Sequence, residues 1–270
     1  MSRQNLLDVI ILTRNEALNI TDCLTSAQAL GSYLKELIVI DDHSSDETVA
    51  LAEQAGARVI ARKLDDFASQ RNFSLAEATA DWVFFLDADE RMSSELILSL
   101  KKSLDSGEAI SGSVTRRSFA FGRRQRFGPL APDSVTRFFP RQMVHWEGLV
   151  HERPICSAPP MTLAGYLEHH TYADWAEYLD KWLKYSTLWS QEARRSGQKA
   201  TTSRAISRAV MAFIKMFFAK LGFLGGPVTW ALCWHHSGYT LAKYLLLAEN
   251  SPEDPSQESP KDSDEVTPKN

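Results

Sequence analysis

The sequence predicts an α/β domain with a mostly parallel, Rossmann-like sheet and flanking helices, extended at its C-terminus by further helices. Three observations carry this. Short apolar runs recur, each followed by a polar cluster and a helix-like stretch, and strands alternating with helices argue for a parallel sheet with right-handed crossovers. One run, residues 82–86 (WVFFL), passes straight into Asp87-Ala88-Asp89-Glu90, which reads as a buried strand with an acidic tip. Residues 193–248 hold eight Lys or Arg and no Asp or Glu, unlike the mixed charge before them.

The first expected strand, residues 8–12 (DVIIL), leads into Thr13-Arg14-Asn15-Glu16 and a helix closing at Gly31. The second, 36–40 (ELIVI), leads into Asp41-Asp42-His43-Ser44-Ser45-Asp46 and a helix running to Gly56. The third, 57–61 (ARVIA), is followed by Asp65-Asp66 and a helix through Ala80. The fourth ends in the acidic tip. In extended chain alternate side chains share a face, so Asp87 and Asp89 can converge on one point. Such a pair suits a hard divalent cation that also holds substrate phosphates. Parallel sheets bind ligands at the carboxyl ends of their strands, so polar groups from three strands meet on one edge. Plainer readings stand beside these: two solvated acids at a strand end, Asp46 as a helix N-cap, Asp41 as a loop orienter, Arg71 as a solvated helix residue.

With 270 residues, 44% of them hydrophobic, the chain can bury one sizeable core and an appended subdomain. Cys23, Cys156 and Cys233 form neither a metal-spaced cluster nor an even disulfide set, which fits a reducing compartment. The start of the chain shows no charged segment followed by an apolar one, so no secretory signal is expected. The formal charge of −4 hides an asymmetry: residues 249–270 carry seven acids against two lysines, leaving residues 1–248 at +1. That acidic, Ser- and Pro-rich tail is expected to be disordered.

Within the acid-free stretch, Arg204, Arg208 and Lys215 fall within about 40° of each other on a helix, with Val210, Phe213, Ile214 and Phe217 mostly on the far side. Gly225-Gly226 breaks the chain and Pro227 suits the start of a second helix bearing Trp230, Trp234 and Tyr239. Lys215, Lys220 and His235-His236 interrupt any long apolar run. The expectation is a basic helical region that lies on an anionic membrane surface without spanning it. The alternative is a helical hairpin packed on the catalytic domain.

In this order and spacing, strand–TRNE, strand–DDHSSDET, the Arg71-Asn72 helix and strand–DADE resemble the family 2 glycosyltransferases of GT-A fold, over about residues 6–155. The later WEGLVHE, from Trp146 through His151 to Glu152, resembles a subgroup that includes bacterial lipopolysaccharide-core β-1,4-glucosyltransferases. The resemblance implies an inverting transfer of a hexose, glucose first, from a UDP-sugar with Mg²⁺ or Mn²⁺. It implies Asp89 as the direct metal ligand and Asp87 closer to the ribose and the metal's water shell. Asp42 would accept a hydrogen bond from the nucleobase, Thr13, Asn15 and Glu16 would line the same pocket, and Arg71 would contact phosphate. Inversion needs a carboxylate base near the acceptor hydroxyl; Glu152 is favoured over Glu147 and Asp133. His151 would complete the metal shell or orient a ligand. The chain then divides into a transferase domain, 1–170, with a nucleotide-sugar half (1–110) and an acceptor half (111–170), a helical membrane-associating region, 171–248, and the tail, 249–270.

Arg116-Arg117, Arg123-Arg124, Arg126, Arg137 and Arg141 form the densest basic run. Arginine binds phosphate and carboxylate bidentately, which fits a lipid-linked or phosphorylated saccharide acceptor; a mobile basic loop, or arginines partly used on the donor's diphosphate, are the alternatives. No aromatic interleaving accompanies the run, so nucleic acid is not an expected partner. A nucleotidyltransferase would want a glycine-rich phosphate loop after the first strand, and a phosphohydrolase a Thr after the acidic pair; neither is present. A silent nucleotide-sugar scaffold would have no need of the full acidic set. The expected setting is the cytoplasmic face of the inner membrane.

Overall fold

The computed structural model describes residues 6–148 and 152–249. Four parallel strands form one half of the sheet: β1 (Leu7–Thr13), β2 (Leu34–Asp41), β3 (Arg58–Ala61) and β4 (Trp82–Asp87). A short β5 (Glu90–Met92) follows the acidic tip. The other half comprises β6 (Ser111–Ala120), the two-residue β7 (Arg123–Arg124), β8 (Asp133–Pro140) and β11 (Pro160–Tyr172). The order across the sheet is β3-β2-β1-β4-β8-β6-β11-β5. Strands β5, β7 and β8 run against the rest. A separate hairpin pairs β9 (Val144–Glu147) with β10 (Arg153–Cys156).

Both faces of β1 and β4 are buried, which is why they read as near-continuous apolar runs. Val9, Ile11, Phe84 and Leu86 face one core, packed by α1 (Ile20–Gln28), α2 (Thr48–Gln54) and α4 (Ser94–Ser106). Ile10, Val83 and Phe85 face the other, covered by α3 (Phe67–Glu77) and β9. Strand β8 enters the sheet beside β4 with Phe138 stacked on Trp82 at 4.7 Å and Phe139 in the opposite core.

Helix α3 stops at Glu77 rather than continuing through Ala80, because Ala78 turns extended and the buried Asp8 carboxylate accepts the N–H groups of Thr79 and Ala80, both at 2.7 Å. Asp66 caps α3 through the Ser69 N–H, and Ser93 caps α4 through that of Leu96, each offsetting an N–H the helix leaves free. Ser93 also ties α4 to β11, its hydroxyl accepting the Tyr166 N–H at 3.0 Å.

After β11 the described chain is helical: α5 (Trp175–Arg195), α6 (Thr202–Ile214) and α7 (Gly226–Ala248), with a π-turn over Lys215–Ala219 between α6 and α7. These helices dock on the sheet domain. Trp175 stacks on Phe121 at 4.3 Å, and the Gly128 N–H donates to Lys220 O at 2.9 Å. Trp182 of α5 donates its indole N–H to His235 O of α7 at 3.1 Å. No helix among the described residues is long and apolar enough to cross a membrane. The expected acidic tail, apart from Glu249, lies outside the described residues.

Gly165 marks where β11 meets α4. Its φ is +91°, and a Cβ there would sit 2.2 Å from Leu96 N and 2.7 Å from Leu96 Cα. Backbone cannot yield as a side chain can. Gly165→Ala is expected to cost at least about 2 kcal/mol through combined strain and overpacking, read as a lowered urea midpoint with unchanged slope.

Candidate active site

The carboxyl ends of β1, β2 and β4 lie side by side because the register pairs Thr13 with Asp41 and Leu12 with Asp87. The loops beyond β1 and β2 are stitched together. Asn15 donates its N–H to Ser44 Oγ at 2.8 Å and its side-chain oxygen accepts the Ser45 N–H at 2.8 Å. Glu16 N donates to Thr48 Oγ1, and Ala17 N to the Asp46 carboxylate, which also accepts the Thr48 N–H. Asp46 therefore serves the start of α2, and Asp41, accepting the Ser44 N–H at 2.8 Å, orients its own loop.

On this frame Asp42 is buried and accepts from Arg14 at 2.7 Å and from the Leu64 N–H at 2.9 Å. Burial alone would raise its carboxyl, but these two hydrogen bonds outweigh it and hold the group below its ordinary value. Thr13 is buried beside it, and its Oγ1 has no hydrogen-bond partner. A hydroxyl buried without a partner is uncommon in a folded protein. The Glu16 carboxylate accepts from Asn19 at 2.9 Å, and burial lifts its pKa.

The Asp87 carboxylate, about a third exposed, is bound by both terminal nitrogens of Arg137 and approached by Arg71 at 3.5 Å. Burial alone would raise Asp87, yet Arg137 and then Arg71 hold it well below the usual carboxylate range. Arg137 also donates to the fully buried Glu90 at 2.9 Å, and Glu90 in turn accepts the Asp87 N–H at 3.1 Å. Arg71, expected either at phosphate or in solvent, is buried over the Trp146 ring at 4.6 Å. It links Asp87 to Glu152, whose Oε1 lies 3.5 Å from Arg71 Nε. The latter nitrogen lacks a proper hydrogen bond, so this guanidinium keeps donor capacity in the cleft.

Asp89 is half-buried and pairs with His169 Nε2 at 3.1 Å. Burial would lower the His169 pKa, but the Asp89 hydrogen bond and charge raise it. His169 was invisible to motif reading. It reaches Asp89 because β11 pairs back on β5, setting His169 opposite Glu90, while the His170 N–H donates to Asp89 O at 2.8 Å.

Among the described residues no three His, Cys, Asp or Glu side chains are grouped to hold a metal. His151 lies outside the described residues. Asp89 alone could offer one carboxylate to a cation of the Mg²⁺ type, which binds through one or two carboxylates and completes its shell with water and substrate phosphate; its bond to His169 would have to give way.

The structure puts Thr13 and Asp42 at the adjoining ends of β1 and β2, joins Asp87 to Glu152 through Arg71, pairs Asp89 with His169, and leaves Asn15 as a loop staple. It also redistributes the basic run: besides Arg137, Arg116 makes a bidentate pair with Asp133 at 2.7 and 3.0 Å, and Arg141 donates to Ala80 O. Asp133 is thereby engaged, and Glu147 pairs with His145 at 3.0 Å on the exposed hairpin.

In an α/β sheet of this kind the ligand site lies outside the carboxyl ends of the strands, where these acids and arginines stand. Residues 8–156 match the family described as Glycosyl transferase family 2, and the chain belongs to that family. An uncharacterized glycosyltransferase of Rickettsia felis is 25% identical over 82% of this chain and 81% of its own length. The lipopolysaccharide core biosynthesis glycosyltransferase LpsC of Rhizobium meliloti is 28% identical over 78% of this chain and 80% of its own. A TPR repeat-containing protein of Synechococcus elongatus is 38% identical over 42% of this chain, a match spanning 28% of that longer protein. Among solved structures, glucosyl-3-phosphoglycerate synthase of Mycobacterium tuberculosis overlaps 52% of this chain and 58% of its own at 22% identity, with a TM-score of 0.39.

Arg137→Met would leave the fully buried Glu90, and the partly exposed Asp87 beside it, without their principal counter-charge. Stability at pH 7 is expected to fall by about 3–5 kcal/mol, measured by urea unfolding. The depressed Asp87 pKa makes its wild-type contribution complete above the unfolded value of about 3.9. That contribution is lost as pH falls through the native value. In Arg137→Met this acid-limb loss is expected to flatten.

Proposed function

We propose that this glycosyltransferase moves a hexose, glucose first, from a UDP-sugar to a lipid-linked or lipopolysaccharide-core saccharide with inversion, at the inner face of the membrane. The observation that supports the proposal is the Arg71 guanidinium within 3.5 Å of both Asp87 and Glu152, on the sheet edge where Asp42 follows β2. The similarity to LpsC, named for lipopolysaccharide core biosynthesis, supports the acceptor class.

In this reading Asp42 accepts a hydrogen bond from the uracil ring, exchanging its contact with the exposed Arg14. The free Thr13 hydroxyl faces the same nucleoside. Mg²⁺ or Mn²⁺ at Asp89 would supply charge neutralisation for the diphosphate. Arg71 adds positive charge in a desolvated setting, where it acts on the developing phosphate charge more strongly than in water. Glu152 removes the proton from the acceptor hydroxyl as that oxygen attacks the anomeric carbon. The bond from that carbon to the diphosphate oxygen breaks on the opposite face, and UDP leaves with the electron pair. Arg71 lies 3.5 Å from both Asp87 Oδ1 and Glu152 Oε1 and so ties the two carboxylates to one guanidinium.

Glu152→Gln is expected to leave UDP affinity nearly intact by calorimetry while lowering turnover by about 10²–10⁴-fold, measured as UDP release from a UDP-hexose panel with a membrane lipid extract as acceptor. Turnover at the wild-type rate would remove Glu152 from the base role.

The membrane placement rests on α6 and its continuation. Ala205 and Ala209 face inward, whereas Ile206, Val210, Met211 and Trp234 are 53%, 52%, 61% and 66% exposed. Arg204, Arg208 and Lys215 are exposed alongside them. An apolar surface beside basic residues suits an anionic bilayer, which adds about 1 kcal/mol per basic residue near the surface. Liposome flotation is expected to rise with anionic lipid and to weaken when Arg204, Arg208 and Lys215 are changed together to Glu. Equal partition to neutral and anionic vesicles would overturn the membrane placement.

A further inference from the structure

The C-terminal helices do more than present a surface. Where α5 and α7 lean against the end of β11, they close a cavity of about 220 Å³. Its walls are mainly aromatic: Tyr172 from β11, Tyr178, Trp182 and Tyr185 from α5, and Tyr239 from α7, with Lys181 among them. Tyr178 meets Tyr172 edge-on at 4.9 Å, and the Trp182 indole is fixed by its hydrogen bond to His235 O. The rings are therefore held in place rather than free to collapse into the space.

The position of this cavity relates it to the cleft. Tyr172 lies three residues beyond His169 on the same strand, and three residues of extended chain span about 10 Å. Lys181 stands between the two regions. Its ammonium donates to Thr171 O at 3.4 Å and pairs with Glu177 at 2.7 Å. Burial alone would lower the Lys181 pKa, but Glu177, and then Glu16 and Asp89, raise it. The charges of the cleft thus reach this lysine.

The chemistry of the lining selects a ligand. Aromatic faces stack on the apolar C–H faces of sugar rings, and a few placed polar groups orient what binds. Burial raises the pKa of Tyr172, Tyr178 and Tyr239, so their hydroxyls stay protonated and able to donate. Lys181 is neutralised by Glu177, which makes the pocket near-neutral overall and a poor match for a phosphate. The volume lies below the roughly 300–1,000 Å³ of pockets that take drug-sized ligands, as suits one ring rather than an oligosaccharide.

We infer that this aromatic cavity is an acceptor subsite, holding a neutral sugar ring next to the one that receives the transferred hexose. The inference rests on the glycosyl-transfer reading of the cleft. It gives the helices after β11 a direct part in acceptor recognition, since α5 and α7 supply most of the wall.

The test is saturation-transfer NMR of the full chain with methyl β-glucoside, run beside UDP calorimetry. Ring-proton signals are expected in the wild type and in Asp42→Ala. Affinity should weaken about tenfold on loss of an aromatic wall, a change near 1.4 kcal/mol, in Tyr185→Ala and Tyr239→Ala with UDP affinity unchanged. Tyr185 is exposed at the mouth, so its removal leaves the packing intact; Tyr239→Phe keeps the ring and should retain most of the signal. No signal in the wild type, or signals unaffected in both alanine variants, would overturn the inference. Loss in Asp42→Ala with retention in the tyrosine variants would move the sugar to the donor cleft and overturn it as well. Tyrosine-dependent signals in a wild type that binds no UDP would support the subsite while removing the donor reading.

Discussion

The acidic tip at the ligand edge of this sheet depends on one buried guanidinium. Arg137 sits between Asp87 and Glu90, two carboxylates at the end of a strand that is apolar on both faces. A buried ion pair adds little over a well-packed apolar substitute, but removing one partner exposes the full desolvation cost of the other. The acidic tip can therefore exist only where β8 brings its arginine alongside. Glu90 shows the tension: burial raises its pKa even with Arg137 beside it.

The same constraint divides the labour among the acids. Asp87 answers Arg137 and Arg71, while Asp89 is paired with His169 from β11. Arg71 extends the network to Glu152 and rests on the Trp146 ring, which ties the β9–β10 hairpin to the strand tips. Asn72 reinforces that tie by bonding both the N–H and the C=O of Trp146 at 2.8 Å. A residue more than fifty positions beyond the acidic tip is thereby held at the cleft by a helix that precedes it.

Beyond the sheet, the helices after β11 answer two demands at once. Their inward side docks through Trp175, Trp182 and the close approach at Gly128, where a Cβ would meet Thr229 Cγ2 at 2.8 Å. Their outward side leaves large apolar residues uncovered next to arginines and lysines. Of the two alternatives open at the level of sequence, packing on the sheet domain is seen in these docking contacts.

By itself the sequence determined the strands, the helices between them and the polar tips that meet at one edge, because each depends on a contiguous stretch of residues. The runs DVIIL, ELIVI and WVFFL declare buried strands wherever they fall, and a parallel sheet brings their carboxyl ends together. What only the tertiary structure decided is which charge answers which. Arg137 pairs with Asp87 across 50 residues and with Glu90 across 47. Its role follows from β8 inserting antiparallel between β4 and β6, an event no local period encodes. His169 joins Asp89 only because β11 folds back on β5, and Asp133 pairs with Arg116 only because β8 sets it opposite that residue on β6. Local pattern records burial and direction; the pairing of buried charges is set by strand order, since a buried carboxylate takes its character from the cation that neutralises it.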